Sequence, residues 1–380
     1  MTTRKLRWRA AALLTALMVV SACTATPSTS VDPSSSGGDP SSSGGAGELP
    51  RPDGYEAGET EGEVVVSDGG GTYHDSLIAS TYDPFEEITG IDLTFTNYDY
   101  SVGAIQAQVE GAQEWDVVSL GNPVSDELQE ELFMPIDYSI VDAPGLPENV
   151  KETYRVLYVY FAHVLGYRTD VYEEAPSQAA DLFDVENFPG PRGVLNYPIG
   201  TLEFVLVADG VAAEDLYPLD VERALTKLEE LNAQEPIVWY NSGAEQVELL
   251  TNELVSMAIA WNGRTLGAAA EGVPVDYIID GAVNQSTSWV VLKTAKHPQA
   301  AMEFINFAMQ PEINAADSLA FLGNSPANEQ SYEFIDDELA ARLPTNPALA
   351  DQIGGYVDDA YWAENFDAVY ERWQNWFADL

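Results

Sequence analysis

From residue 62 onward, short apolar runs closed by glycine or polar turns alternate with stretches of helical spacing. In "EGEVVVSDGGGTYHDSLIASTYDPFEEITGIDLTFTNYDY", Val64–Val66 reads as a buried strand and Asp68–Gly71 as a turn. His74 to about Ile88 has helix spacing, Gly90 is its stop, and Ile91–Thr96 is a second strand. "QEWDVVSLGN", "RGVLNYP" and "SMAIAWNG" predict further short strands, and "RVLYVYFAHVLGYRTD" a long one. Helices are predicted at about Leu202–Gly210, Val221–Asn232 and Ala244–Asn252, and again in "HPQAAMEFINFAMQ". Strands alternating with helices imply an α/β fold of mainly parallel sheets. Near the C-terminus, Trp362, Phe366, Tyr370, Trp373 and Phe377 form one stripe at spacings of three and four, which predicts a helix docked on a core.

The first residues follow a different pattern. "MTTRKLRWRA" carries Arg4, Lys5, Arg7 and Arg9, "AALLTALMVV" is a short apolar run, and "SAC" follows. This is the layout of a secretory signal peptide over 1–22, too short for a comfortable membrane span. Val20-Ser21-Ala22-Cys23 resembles a bacterial lipobox, which makes Cys23 the expected site of lipidation. The tract that follows repeats "DPSSSGG" at Asp32–Gly38 and Asp39–Gly45. Ser, Gly and Pro bury too little surface to fold, so 23–61 is expected to be a flexible tether.

Composition narrows the function. The chain has 380 residues, 46% of them hydrophobic, enough for two lobes. Its 62 acids against 16 Lys and Arg give a net charge of −46, which disfavours nucleic acid and anionic membrane surfaces as partners. Loss of the leader removes four cations and no acid, so a protein held at a membrane needs the lipid rather than charge. Cys23 is the single cysteine, which excludes an intramolecular disulfide and a thiolate metal site. His74, His163 and His297 are far apart and read as surface or packing residues; no metal and no cofactor is expected. There is no GxSxG, P-loop or GxGxxG, and "DGGGTY" lacks the Lys and Ser/Thr of a nucleotide site, so the chain is not expected to be an enzyme.

Several motifs together resemble one family: the extracellular solute-binding proteins of ABC importers, in the group that includes spermidine/putrescine and 4-aminobutyrate binders. They are "VVVSDGGGTYHDSLIASTYDPFEEITGI", "WDVVSLGN", "VLGYRTDVY", "FDVENFPGPRGVLNYPIGTLEFVLVADGV", "LYPLDVERALTKLEEL", "VWYNSGAEQVELL", "MAIAWNGRTLGAAAEGVPVDY" and "SWVVLKTAKHPQAAMEFINFAMQPE". The resemblance implies two α/β lobes of the periplasmic-binding-protein type, joined by hinge strands and closing on a ligand cleft. Lobe one would be 62–165 plus 286–380, and lobe two 166–285. The crossings would fall near Val164–Arg168 and Asp280–Ser286. It also implies a small-molecule ligand, an ABC permease as partner, a monomer, and a place at the cell surface or in the periplasm.

Loops at strand ends and helix starts are the expected site. Asp68, Gly71, Thr72 and Tyr73 flank the first turn, and Ser119 and Asn122 end "WDVVSLGN". Tyr197 and Thr201 precede the "LEFVLVADG" helix, with Glu203 in its first turn. Trp261, Asn262 and Arg264 end "SMAIAWNG". The resemblance to 4-aminobutyrate binders at "AWNGR" implies that Arg264 clamps a carboxylate through its two-pronged guanidinium, with Trp261 as a wall. Relatives commonly carry an Asp before the "SW" of the second crossing to take the ligand ammonium, whereas this chain has Thr287. The ligand then lacks an amine there, or another acid such as Asp68 or Glu203 serves, or a quaternary amine sits on the aromatics. A polyamine ligand is the alternative reading, and a lipid-anchored extracellular enzyme the alternative of another class.

Overall fold

A computed structural model describes residues 49–380. The leader, Cys23 and the repeated Ser/Gly/Pro tract lie outside the described residues. Ten strands form one sheet: β1 (Glu63–Asp68), β2 (Asp92–Asn97), β3 (Val117–Leu120), β4 (Arg155–Arg168), β5 (Arg192–Leu195), β6 (Ile237–Tyr240), β7 (Met257–Trp261), β8 (Val275–Val291), β9 (Ser325–Pro326) and β10 (Ile353–Tyr356). The order is β2-β1-β3-β8-β4-β7-β5-β6, with β9 on β4 and β10 on β8.

The sheet is mixed, which corrects the mainly parallel expectation. Its two ends are parallel, β1 with β2 and β3, and β5 with β6 and β7. Short strands returning through helices must run parallel. The centre is antiparallel, because β4 and β8, of 14 and 17 residues, pass each other in opposite directions.

These two strands serve two cores. Val64, Val66, Leu77, Phe85, Trp289, Phe304 and Phe307 belong to the core of the first lobe. Leu165, Leu202, Phe204, Leu225, Leu228 and Ile259 belong to that of the second. β4 gives Val156–Tyr160 to the first core and Leu165 and Tyr167 to the second; β8 gives Trp289 and Val291 to the first and Val283 to the second. The passage from lobe to lobe therefore lies between Tyr160 and Leu165, and between Val283 and Trp289.

Local elements follow the sequence pattern. The helix Val221–Gln234 starts on Asp220, whose carboxylate accepts the Arg223 N–H at 3.1 Å. It buries Ala224, Leu225, Leu228 and Leu231, one face at spacings of three and four. The first helix begins earlier than the pattern indicates, at Gly71, and reaches Thr89 through a wide turn over Ile78–Tyr82. Gly90, at φ 72°, ends it as expected, in the left-handed conformation that glycine tolerates.

Two boundaries are corrected. The tether was expected to reach residue 61, but Tyr55 packs edge-on against Phe307 at 5.2 Å and donates to the Glu303 carboxylate at 2.5 Å. Glu61 then accepts the Ala300 N–H at 2.9 Å at the start of the helix Pro298–Ala308. The aromatic C-terminal helix, Asp359–Ala378, was assigned with lobe one but packs in the second core through Trp362, Trp373 and Trp376. Each of the three indoles finds an acceptor there. Trp362 donates to Glu203 at 2.5 Å, Trp373 to Asn196 at 3.1 Å, and Trp376 to Glu229 at 2.7 Å.

Candidate functional site

β4 and β8 present alternate side chains to opposite faces of the sheet. Val159, Phe161 and His163 of β4, with Gln285 and Thr287 of β8, face a cleft of about 530 Å³ between the lobes. The first lobe adds Gly69, Gly70, Tyr73, Tyr100, Asn122, Phe321 and Asn324 to its walls. The second adds Asn196, Tyr197, Asn241, Trp261, Gly263 and Arg264. A larger cavity of about 790 Å³ lies on the opposite face, against Tyr160, Asn284 and Ser286. It is rich in carboxylates, and its Arg155 is already held by Glu152 at 2.6 Å and Asp359 at 2.5 Å. The smaller cavity is the better candidate because the loops of both lobes converge on it.

Of the sequence-predicted residues, the cleft brings together Tyr73, Asn122, Tyr197, Trp261, Arg264 and Thr287. Thr72 meets Arg264 from across the cleft, and the others stand elsewhere. Asp68 is fully buried; its carboxylate accepts from Gly70 N–H at 2.7 Å and Tyr82 hydroxyl at 2.8 Å, and pairs with His74 Nδ1 at 2.7 Å. It fixes the turn behind the cleft, with both oxygens committed. Ser119 is buried beside the Tyr158 hydroxyl, and Thr201 donates to the Leu195 carbonyl at 3.4 Å. Asn262 is buried too, accepting from Ala162 N–H at 2.9 Å and donating to Gly323 O at 2.7 Å. Gly71 is exposed and outside the lining, so Gly69 and Gly70 are the glycines that approach the cleft. Glu203 is fully buried on the C-terminal helix side of lobe two.

Arg264 lies in the first turn of the helix Asn262–Ala270, directly after β7. It is half-buried, and burial alone lowers its pKa. Its Nη1 donates across the cleft to Thr72 Oγ1 at 3.2 Å, and its guanidinium lies 5.4 Å from the centre of the Phe321 ring. Among the described residues no carboxylate lies within 4.0 Å of it. Trp261, three residues earlier at the end of β7, also lines the cleft, and its Nε1–H is buried without a partner among the described residues. The charged guanidinium is thus left for an anionic ligand group.

Sequence reasoning missed several lining residues. His163, expected as a surface or packing residue, lies in the cleft wall. Burial lowers its pKa to about 4, so the ring is neutral, and its Nε2 lies 3.2 Å from Gln285 Oε1. Donation by the ring uses that carbonyl and leaves the Gln285 amide N–H groups for a ligand. Gly200 lies flat on this ring, where a Cβ would come within 2.0 Å of Nε2. Tyr100 covers Gly69 in the same way. Asn324 and Phe321 come from a loop whose Gly323 touches Gly263 of the other lobe. A sequence signal exists only for the paired glycines; the face of β4 on which His163 falls depends on a register shift between Leu157 and Val159.

Gly323 has φ 95°, and a Cβ there would lie 2.3 Å from Gly263 Cα. Gly323→Ala is expected to cost about 3 kcal/mol, from left-handed strain plus overpacking, read by urea denaturation. A loss below about 1 kcal/mol would show that the loop can shift.

Behind the cleft, Asp317 is buried and accepts from Asn324 Nδ2 at 3.1 Å, while its Oδ1 has no partner among the described residues. Desolvation pushes its carboxyl up to about 7. A raised folded-state pKa contributes stability below the ordinary carboxyl range, and this is lost as pH rises from about 4 through about 7. Against Asp317→Asn, the wild type should therefore lose roughly 4 kcal/mol between acid and mildly alkaline pH. Parallel stability profiles for the two proteins would refute this assignment.

Comparisons with known proteins agree with this architecture. Residues 80–350 match the family of bacterial extracellular solute-binding proteins. The chain belongs to that family. A γ-aminobutyric acid-binding protein of Pseudomonas aeruginosa is 30% identical over 84% of this chain and 92% of its own length. An ABC transporter substrate-binding protein from Bradyrhizobium japonicum superposes with a TM-score of 0.75 at 34% identity, over 83% of this chain and 99% of its own. A solved GABA receptor, Atu4243, gives a TM-score of 0.73 at 32% identity, over 83% of this chain and 97% of its own. The two-lobe fold with hinge strands and a cleft is that of a solute-binding protein. Among the described residues of this member, no helix is long and apolar enough to cross a membrane.

Proposed function

We propose that this solute-binding protein is the receptor of an ABC importer and captures a small carboxylate-bearing nitrogen compound of the 4-aminobutyrate type, without turnover. The observation that carries the reading is Arg264, a half-buried guanidinium in the cleft with no carboxylate partner among the described residues. A ligand carboxylate supplies the partner, and Trp261 forms part of the cleft wall beside it. The relatives named for γ-aminobutyric acid support the same ligand class. A polyamine would need anionic contacts, yet no Asp or Glu lines the cleft among the described residues. The protein acts as a monomer, tethered outside the cell through a lipid on Cys23, and delivers its ligand to a membrane permease.

Thermal shift against amino acids, betaines and polyamines tests this. A ligand that binds only the folded state raises the melting temperature as RT ln(1 + [L]/Kd). An unmoved melting temperature across the panel refutes the receptor reading, and a response to polyamines alone refutes the carboxylate assignment. Thr287 lies in the cleft wall on β8, so Thr287→Asp should strengthen binding of ligands with a primary amine about tenfold. Equal affinity in the two proteins would place the amine away from Thr287.

A further inference from the structure

Among the described residues the cleft holds one cation without a carboxylate partner and no lining carboxylate, which leaves the amine of an amino-acid ligand without an obvious partner. Thr287 is a neutral hydroxyl, Asp68 has both oxygens committed, and Glu203 is bonded to Gly200 N–H, Tyr217 hydroxyl and Trp362 Nε1–H on the far side of lobe two. One acid near the cleft is different. Asp317 lies directly behind the lining residue Asn324, and one of its oxygens makes no hydrogen bond among the described residues.

We infer that Asp317, acting through the Asn324 amide, forms the amine end of the ligand site and selects for a ligand that carries an ammonium group. This rests on the amino-acid reading above and completes it. The ionised Asp317 accepts only, so it draws the Asn324 amide nitrogen toward itself at 3.1 Å. Asn324 Oδ1, which has no hydrogen-bond partner among the described residues, is then the acceptor left for the cleft. An ammonium hydrogen-bonds to that oxygen, and the carboxylate behind it contributes the charge. In a buried setting that charge acts with little screening.

The surroundings suit the role. Among the described residues Asp317 has no cation beside it; the titratable groups within its electrostatic reach are the hydroxyls of Tyr73 and Tyr158, which hydrogen-bond to each other. Burial without a counter-charge disfavours its ionised form, and an arriving ammonium restores it. A carboxyl that existed only to brace the loop would be expected to have both oxygens satisfied, as Asp68 does. Asp317 is a positioning residue, since it reaches the ligand through Asn324.

Titration calorimetry on the full chain tests this with three probes: 4-aminobutyrate, butyrate, which lacks the amine, and n-butylamine, which lacks the carboxylate. In the wild type, 4-aminobutyrate should bind more tightly than butyrate. In Asp317→Asn that preference should shrink about tenfold, through weaker 4-aminobutyrate binding, with butyrate little changed. Asn324→Ala should shrink it as well, and provides the test if Asp317→Asn folds poorly. A purely structural role would weaken both probes together, so an unchanged ratio in either folded variant overturns the inference. If butyrate and 4-aminobutyrate fail to bind the wild type but n-butylamine binds in an Asp317-dependent way, the carboxylate reading falls and the inference stands. If no amine-bearing probe binds the wild type, both fall.

Discussion

Arg264→Ala is expected to weaken binding of a carboxylate ligand such as 4-aminobutyrate by about a hundredfold or more, near 3 kcal/mol. Among the described residues the guanidinium faces the cleft without a carboxylate partner, and its present contacts are replaceable: a hydroxyl at 3.2 Å and an aromatic face. Truncation would leave the ligand anion desolvated against neutral walls, the costly outcome for a buried charge. Arg264→Lys keeps the charge and loses the two-pronged geometry, so an intermediate loss of about tenfold is expected. Calorimetric titration of the three proteins reads both effects. Binding by the Ala variant within about threefold of wild type would remove Arg264 from the site. Stability should move little, because no buried partner is orphaned in the protein itself.

The second large effect concerns stability. Glu203 is fully buried, and its carboxylate accepts from Gly200 N–H at 2.8 Å, Tyr217 hydroxyl at 2.7 Å and Trp362 Nε1–H at 2.5 Å. The Gly200 bond caps the helix Thr201–Ala208, the Trp362 bond ties that helix to the C-terminal helix, and Tyr217 links it to Asp358, whose N–H it accepts at 2.9 Å. Glu203→Ala orphans three donors and opens a cavity, so a loss of about 4 kcal/mol is expected in urea denaturation. Burial raises the Glu203 carboxyl pKa, so the stability linked to its protonation is present at low pH and lost as pH rises through the folded-state value. Glu203→Gln keeps an acceptor and removes the buried charge, and should cost far less than Ala. Ligand affinity should stay within about threefold of wild type in whatever fraction remains folded, since Glu203 lies outside the cleft lining. A weakened affinity with unchanged stability would return Glu203 to the ligand site.

Much of the fold was legible from short-range pattern. The first strand, the Gly90 stop of the first helix, the long strand β4 and the amphipathic helix Val221–Gln234 fall where periodicity and stop signals place them. The 17-residue β8 was less legible. Its polar stretch "DGAVNQSTS" has no clean alternation, because one face meets the cleft and the other the rear cavity. The docking of the C-terminal helix was also beyond reach. An aromatic stripe announces that a helix will be buried, but not against which lobe; that depends on acceptors such as Glu203, Asn196 and Glu229, which lie far away in the chain.

The sequence by itself determined the alternating elements, the family resemblance and the presence of one Arg in an apolar, glycine-flanked strand end. Those are local properties, written in spacing and residue type. Only the tertiary structure decided which polar groups are free to meet a ligand. Asp68 and Asn262 have the right chemistry at the right strand ends, but their hydrogen bonds are consumed within the fold. His163, Gln285 and Asn324 carry no motif, yet the register of the hinge strands and the close Gly263–Gly323 contact bring them to the cleft. Availability depends on partners distant in the chain, and a hydrogen-bonding group has only so many bonds to give.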